Sequence, residues 1–343
     1  MSTRLLIVTQ AIDTEDPVLG FFVRWVEEFA KHAEHIEVIC LKFGRSDLPK
    51  NVRVHSLGKE KGVSRVSYVL NFYKYIWRLR HDYDTVFVHM NQEYVVLGGV
   101  FWWLMSKRIL LWRNHPEGSF ETSLAVFLSD RVFCTSNQSY TARFKKTQIM
   151  PVGTDTHVFT NIGKERMKHS LLVLGRVAPV KRQEIIIDAL VILHKEDVFF
   201  TACFVGDASL RDFHYYGTLR KKVVENGISE SVSFRGAVPY RGTAKIYNEF
   251  EVFINATQSG SLDKTIFEAM ACDMLPIVSN DSLKGNIEGS FLFKENDSAD
   301  LAEKIKKLFS LSDEQKDMFR IKNRDFVVKN HSLEKLADVL FRN

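Results

Sequence analysis

Gly175, Arg176 and Lys181 stand close together in LLVLGRVAPVKRQEIIIDAL, after an apolar run and at the opening of a helical pattern. Glycine there lets backbone approach an anion, a helix start offers unpaired N–H groups, and arginine with lysine supplies a fork and a point charge. The set suits a diphosphate. Taken alone it also describes a solvated rim, because basic side chains after a strand mostly face water. Three later stretches repeat the arrangement: FVGDASL has Gly206 and Asp207, FRGAVPY has Gly236 and Tyr240, and SGSLDKTIFEAM has Ser259, Gly260, Ser261, Asp263, Lys264 and Glu268. Glycines, hydroxyls and charges at four successive strand ends favour a nucleotide-type ligand. Two of the acids have structural alternatives. Glu268 could simply favour the dipole near a helix start, and Asp263 could cap a helix beginning near Lys264.

These residues need a frame that delivers them to one edge. Short β-branched runs alternate with helical patterns: RLLIVTQ, HIEVICL, NVRVHSL, DTVFVHM, RILLWRN, DRVFCTS and TQIMPVG read as strands, with helices over 20–33 and 64–81. This is the grammar of a parallel α/β sheet. Near residue 160 the pattern restarts with SLLVLGR, FFTACFVG, VSFRGAV, VFINAT and LPIVSN, separated by helices over 181–195, 209–226, 241–248 and 264–271. The division predicts two Rossmann-like domains, 1–160 and 161–312, joined by the polar stretch TNIGKERMKHS. A helical segment, 313–343, follows, expected to pack back toward the N-terminal domain.

Composition excludes several classes. The chain has 343 residues, is 45% hydrophobic and 26% charged, and carries a formal charge of +5, an ordinary globular balance without the basicity of a nucleic-acid binder. Cys40, Cys134, Cys203 and Cys272 lack C-x-x-C spacing, so neither a metal site nor a disulfide framework is expected. Such thiols fit a cytoplasmic setting. MSTRLLIVTQ reads as a first buried strand rather than a secretory signal. YVVLGGVFWWLM, Tyr94 to Met105, is too short to span a bilayer and reads as a buried helix. Between residues 59 and 80, basic Lys59, Lys61, Arg65, Lys74, Arg78 and Arg80 interleave with aromatic side chains. Such a helix could lie on an anionic membrane surface; the competing reading is a buried aromatic stripe with a solvated basic face.

The chain as a whole resembles retaining glycosyltransferases of family 4, nucleotide-sugar enzymes with the GT-B fold of two Rossmann-like domains facing across a cleft. The resemblance rests on TQAIDTEDPVLGFFVRWVEEFAK, MPVGTDTHVF, VLGRVAPVKRQEIIIDAL, FVGDASLRD and SGSLDKTIFEAMACDMLPIVS, in that order. It implies that Arg176 and Lys181 hold the donor diphosphate in place of a metal and that Glu268 accepts hydrogen bonds from the ribose. Gly20 would match the loop approaching the donor phosphate, and His115 the histidine beside the transferred sugar, with His89 and Glu117 weaker candidates for the acceptor pocket. Base recognition would use backbone around Gly236 and Tyr240. One departure stands out: Gly260 occupies the place of the first glutamate of the family's E-x7-E motif, leaving Ser259, Gly260 and Ser261 to bind through N–H groups with Asp263 and Lys264 beside them.

The resemblance implies transfer of a hexose, with retention, from a nucleotide-diphosphate sugar to a glycan or lipid-linked acceptor. It implies an α-glycoside product, polysaccharide biosynthesis as the setting, no cofactor, and a place in the cytoplasm or at the inner face of the membrane. Two alternatives remain open: a non-catalytic nucleotide- or glycan-binding partner subunit, which Gly260 motivates, and a nucleotide-sugar epimerase, for which no additional acid and base groups are identified.

Overall fold

The computed structural model describes residues 3–260 and 262–342. The chain divides into two compact units. One takes in residues up to Gly153, Pro239–Arg241 and the chain from Leu333 onward; the other is Thr154–Val238 with Gly242–Ser332.

The first unit contains β1 (Thr3–Ile12), α1 (Phe21–Phe29), β2 (Ala33–Phe43), β3 (Val52–Ser56), α2 (Arg65–Arg78), β4 (Thr85–His89), α3 (Glu93–Leu104), β5 (Arg108–Trp112), α4 (Phe120–Leu128), β6 (Arg131–Cys134) and β7 (Thr147–Ile149). Its seven strands pair in parallel in the order β3-β2-β1-β4-β5-β6-β7. Strands of such a sheet are covered on both faces, so they read as unbroken apolar runs. Alternation sorts them: Leu5 and Ile7 face α1 and the final helix, Leu333–Phe341, while Leu6 and Val8 face α2, α3 and α4. Leu333, Leu336, Ala337 and Leu340 belong to the first of these cores.

α3 departs from the buried helix its composition suggests. It buries Val95, Gly98, Gly99 and Trp102, yet leaves Trp103 73% and Leu104 68% exposed. Its sequence is apolar all round, but within the unit the sheet and the neighbouring helices cover only part of it. α4, which the strand pattern does not announce, begins in a capping box in which Ser119 and Thr122 satisfy each other's backbone N–H groups.

The second unit contains β8 (Met167–Leu174), α5 (Gln183–Lys195), β9 (Thr201–Val205), α6 (Phe213–Glu225), β10 (Val232–Gly236), α7 (Tyr240–Tyr247), β11 (Phe250–Asn255), α8 (Lys264–Ala271), β12 (Leu275–Val278), α9 (Ser298–Phe309) and α10 (Asp313–His331), the first two residues of α7 grouping with the first unit. The five strands pair in parallel in the order β10-β9-β8-β11-β12. The chain therefore winds outward from β8 to β10, then crosses back to β11 on the other side of β8. α10 is tied to this sheet by a buried ion pair, Lys316 Nζ to Glu251 Oε1 at 2.9 Å. All four cysteines are buried and unpaired.

Candidate functional site

In an open parallel sheet, ligands bind beyond the carboxyl ends of the strands where the winding reverses, here between β8 and β11. The backbone at that edge is drawn tightly together. Gly175 N–H donates to Val205 O at 3.0 Å, Gly206 N–H to Gly236 O at 2.8 Å, and Val177 N–H to Asp207 O at 3.0 Å. Gly175 and Gly206 take φ of +146° and +145°, and a Cβ at residue 206 would lie 1.9 Å from Gly175 O. Only glycine fits there. The three strand-end glycines thus form one continuous rim of backbone.

After β8 the chain makes a 3-10 turn, Pro179–Lys181, and Arg182 at φ +52° separates it from α5. Lys181 therefore closes that turn instead of opening α5. Gln183 Nε2 donates to Arg176 O at 3.1 Å, folding the loop onto itself and leaving Arg176 exposed.

Lys181 crosses the switch point. Its ammonium lies 2.5 Å from Asp263 Oδ2 at the start of α8. Asp263 Oδ1 accepts from Thr265 N–H at 3.2 Å, the cap that its sequence position allowed, while Oδ2 also accepts from Asn255 Nδ2 at 2.9 Å and Thr257 Oγ1 at 3.3 Å. Burial alone would raise the pKa of this carboxyl, but the Lys181 ammonium and the donors from Lys181, Asn255 and Thr265 bring it down to about 2. The lysine assigned to a diphosphate thus already neutralises a carboxylate. α8 itself is fixed at its far end, where Arg324 donates to Ala271 O and Arg166 to Cys272 O and Asp273 O.

Glu268, the fifth residue of α8, is 3% exposed, and its Oε2 accepts from Tyr247 Oη at 3.0 Å. Burial, then the neighbouring Glu268 charge, holds the Tyr247 phenol well above its usual pKa, so Tyr247 stays a neutral donor. Lys264, one turn before Glu268, is brought down to about 8 by burial, against the opposing pull of the Glu268 and Asp155 carboxylates. The opening of α8 therefore combines two carboxylates and two ammonium groups, counting Lys181.

The loop before α8 is held from behind. Ser259 N–H donates to Glu295 Oε1 at 2.8 Å, and Ser259 Oγ accepts from Asp281 N–H at 2.8 Å. Gly260 is buried with φ +117°, and Ser261 lies outside the described residues. Asp207 is exposed at the end of β9; Gly236 ends β10, and half-buried Tyr240 opens α7.

Gly20 and His115 belong to the first unit. Gly20 N–H donates to Asp16 O at 3.0 Å at the start of α1, where a Cβ would meet the same oxygen at 2.6 Å. His115 is exposed beyond β5. Its Nδ1 lies 3.0 Å from Glu117 N and 3.1 Å from Glu117 O. Glu117 is exposed as well, with its carbonyl taken by Arg113 Nη1 at 3.0 Å. His89 is instead a core residue, 2% exposed and stacked on Phe22 at 4.0 Å, with Thr9 Oγ1 3.3 Å from Nδ1.

Tyr247, Asn255, Thr257 and Glu295 complete this arrangement without having been singled out in the sequence. Asn255 alone carries a signal, as a polar residue closing the apolar strand FEVFIN. Among the described residues no group of three or more histidine, cysteine, aspartate and glutamate side chains converges as metal ligands would.

Residues 168–310 match the family described as "Glycosyl transferases group 1". No curated protein sequence matches the chain. Among solved structures, HepE of Anabaena in complex with UDP and glucose superposes with a TM-score of 0.79 at 17% identity, covering 99% of this chain and 98% of that one. Sucrose-phosphate synthase of Thermosynechococcus elongatus gives 0.78 at 17% identity, over 99% and 98% of the two chains. A glycosyltransferase of Rickettsia africae gives 0.75 at 15% identity, over 98% and 97%. The chain accordingly has the GT-B fold, with the match to the glycosyl transferases group 1 family confined to residues 168–310.

Proposed function

We propose that this chain is a retaining glycosyltransferase of the family 4 type. In this reading it moves a hexose from a nucleotide-diphosphate sugar to a glycan or lipid-linked acceptor, without a metal, and forms an α-glycoside in the cytoplasm. The observation that carries the reading is the Lys181–Asp263 pair at 2.5 Å, which brings the loop after β8 and the start of α8 together across the switch point. That edge also offers the backbone rim of Gly175, Gly206 and Gly236 and the exposed Arg176. HepE has been captured with UDP, with UDP and glucose, and with UDP-glucose, which supports a uridine nucleotide sugar as the first donor to test.

In this reading the Arg176 fork meets the diphosphate and neutralises the charge that grows on it as the glycosidic bond breaks. Lys181 adds its charge while Asp263 holds it in place, and Glu268 receives the ribose hydroxyls. His115 contacts the transferred sugar. The leaving phosphate oxygen takes the acceptor proton as attack occurs on the same face, so no enzyme nucleophile is needed. The second reading, a partner subunit that binds without turnover, is favoured by one observation: residue 260 is a glycine and contributes no carboxylate.

The test is a thermal-shift screen of the full chain against nucleoside diphosphates and their sugars, without metal and then with magnesium, followed by donor hydrolysis on any hit. A ligand that binds only the folded state raises Tm. A shift without metal that Arg176→Ala removes, together with hydrolysis, supports the transferase. Binding with no hydrolysis or transfer to any acceptor favours the partner subunit, and no shift with any nucleotide overturns the transferase and leaves the glycan-binding partner subunit in front.

A further inference from the structure

The first unit carries an exposed apolar surface that the transfer chemistry does not use. No charged side chain stands between Glu93 and Lys107, and α3 turns Phe101, Trp103 and Leu104 outward at 45%, 73% and 68% exposure. On α4, which packs beside it, Phe120 and Phe127 are 83% and 77% exposed. On the other side, Tyr73 of α2 sets its ring 5.2 Å from that of Phe101. Leu70 and Trp77, one turn either side of Tyr73, are 64% and 62% exposed. Three neighbouring helices therefore share one apolar outer face, of a kind that marks an interaction site.

Charge indicates what covers it. Residues 59–146, which hold these helices, carry thirteen Lys and Arg against seven Asp and Glu, a net of +6 that exceeds the +5 of the whole chain. Cations border the exposed rings. The Arg80 guanidinium lies 4.4 Å from the centre of Trp77, and Lys146 Nζ donates to Phe127 O at 3.2 Å and Ser129 O at 2.7 Å. Lys74 and Arg78 are exposed on α2. Indole rings between apolar and polar zones, edged by cations, match the headgroup region of an anionic bilayer. A specific protein interface would intersperse polar groups for hydrogen bonding, which the outer residues of α3 do not offer. Among the described residues no helix is long and apolar enough to cross a membrane, so these helices would lie at its surface.

We propose that the outer face of α2, α3 and α4 docks this chain onto anionic phospholipid bilayers, with Trp103 and Phe127 entering the interface and the bordering cations pairing with headgroups. The inference stands on the first unit alone and does not depend on the transferase reading.

The experiment is vesicle flotation of the full chain with phosphatidylcholine alone and with phosphatidylcholine plus phosphatidylglycerol, at low and high salt. The chain is compared with the double variant Trp103→Glu/Phe127→Glu, whose folding is checked by thermal melting. The expected result is flotation with anionic vesicles, about tenfold or more weaker binding to the neutral ones, and weakening by salt, since several cations each add attraction near an anionic surface. The double variant loses binding about tenfold or more, and Lys74→Glu/Arg78→Glu, which leaves the apolar face intact, weakens binding only to anionic vesicles. Wild-type chain that stays unbound, or a folded double variant that floats equally well, overturns the proposal. A solution dimer that the double variant dissociates, without vesicle binding, assigns the face to a second copy and overturns it too.

Discussion

Tyr247 places its hydroxyl 3.0 Å from Glu268 Oε2, and both side chains are buried. The pair joins α7 to α8. A carboxylate kept from water needs donors, and a neutral phenol supplies one at any working pH. Tyr247→Phe removes the donor without changing the ring, so it should destabilise the fold by about 1–3 kcal/mol, the worth of a hydrogen bond to a buried charged group. Urea unfolding reads this as a lowered midpoint; an unchanged midpoint would show that Glu268 is held well enough by its other neighbours.

Asp263 links stability to pH. Its folded pKa is near 2 against an ordinary value of 3.8, so ionisation is easier in the folded state. A lowered carboxyl pKa contributes stability that is complete above the unfolded value and disappears as the pH falls through the folded one. The difference corresponds to about 2 kcal/mol at neutral pH. Asp263→Asn keeps a good capping residue but loses the ion pair with Lys181. The Tm gap between wild type and variant should be constant from pH 7 to about 5 and close between pH 4 and 2. A gap that does not respond to acid would refute the electrostatic origin.

Gly260 is a glycine for a conformational reason. It is buried at φ +117°, a region that side chains avoid, in a loop fastened by Ser259 to Glu295 and Asp281. Restoring the missing acid with Gly260→Glu should therefore strain the backbone by about 1–3 kcal/mol. Tm should fall and donor turnover should not improve. If turnover rises instead, the loop accepts a side chain and the acid was lost without structural cause.

Much of this frame can be read in the sequence, because parallel strands buried on both faces leave long apolar runs and strand ends leave glycines. RLLIVTQ and SLLVLGR read as buried strands and are β1 and β8, and Gly175, Gly206 and Gly236 do lie together. Pairings between distant residues carry no such trace. That Lys181 meets Asp263 depends on β8 lying beside β11, and that Tyr247 meets Glu268 depends on how α7 and α8 pack, which no local pattern encodes. His89, a weaker candidate for the acceptor pocket in the sequence, is a stacked core ring, since the same position in a parallel sheet can face either a cleft or a helix. α3 misled for a related reason: its apolar sequence fixes that it is a helix, and what lies over its outer face is set by its surroundings.

Arg176 and Lys181 sit five residues apart and share one assigned role, yet the structure predicts that their removal will look different. Arg176 is exposed, so Arg176→Ala should leave stability within about 0.5 kcal/mol of wild type. If its fork neutralises the leaving diphosphate, kcat/KM should fall about 10²–10³-fold, as when a positioned electrostatic donor is lost. Lys181→Ala instead strands Asp263, whose side chain is 10% exposed, without its ammonium partner. Breaking a buried pair from one side costs about 3 kcal/mol, so this variant should lose stability along with activity. Urea unfolding and donor hydrolysis, measured on both variants, separate the roles. Equal destabilisation by both would mean that Arg176 also supports the fold, and full activity of Arg176→Ala would remove it from the diphosphate.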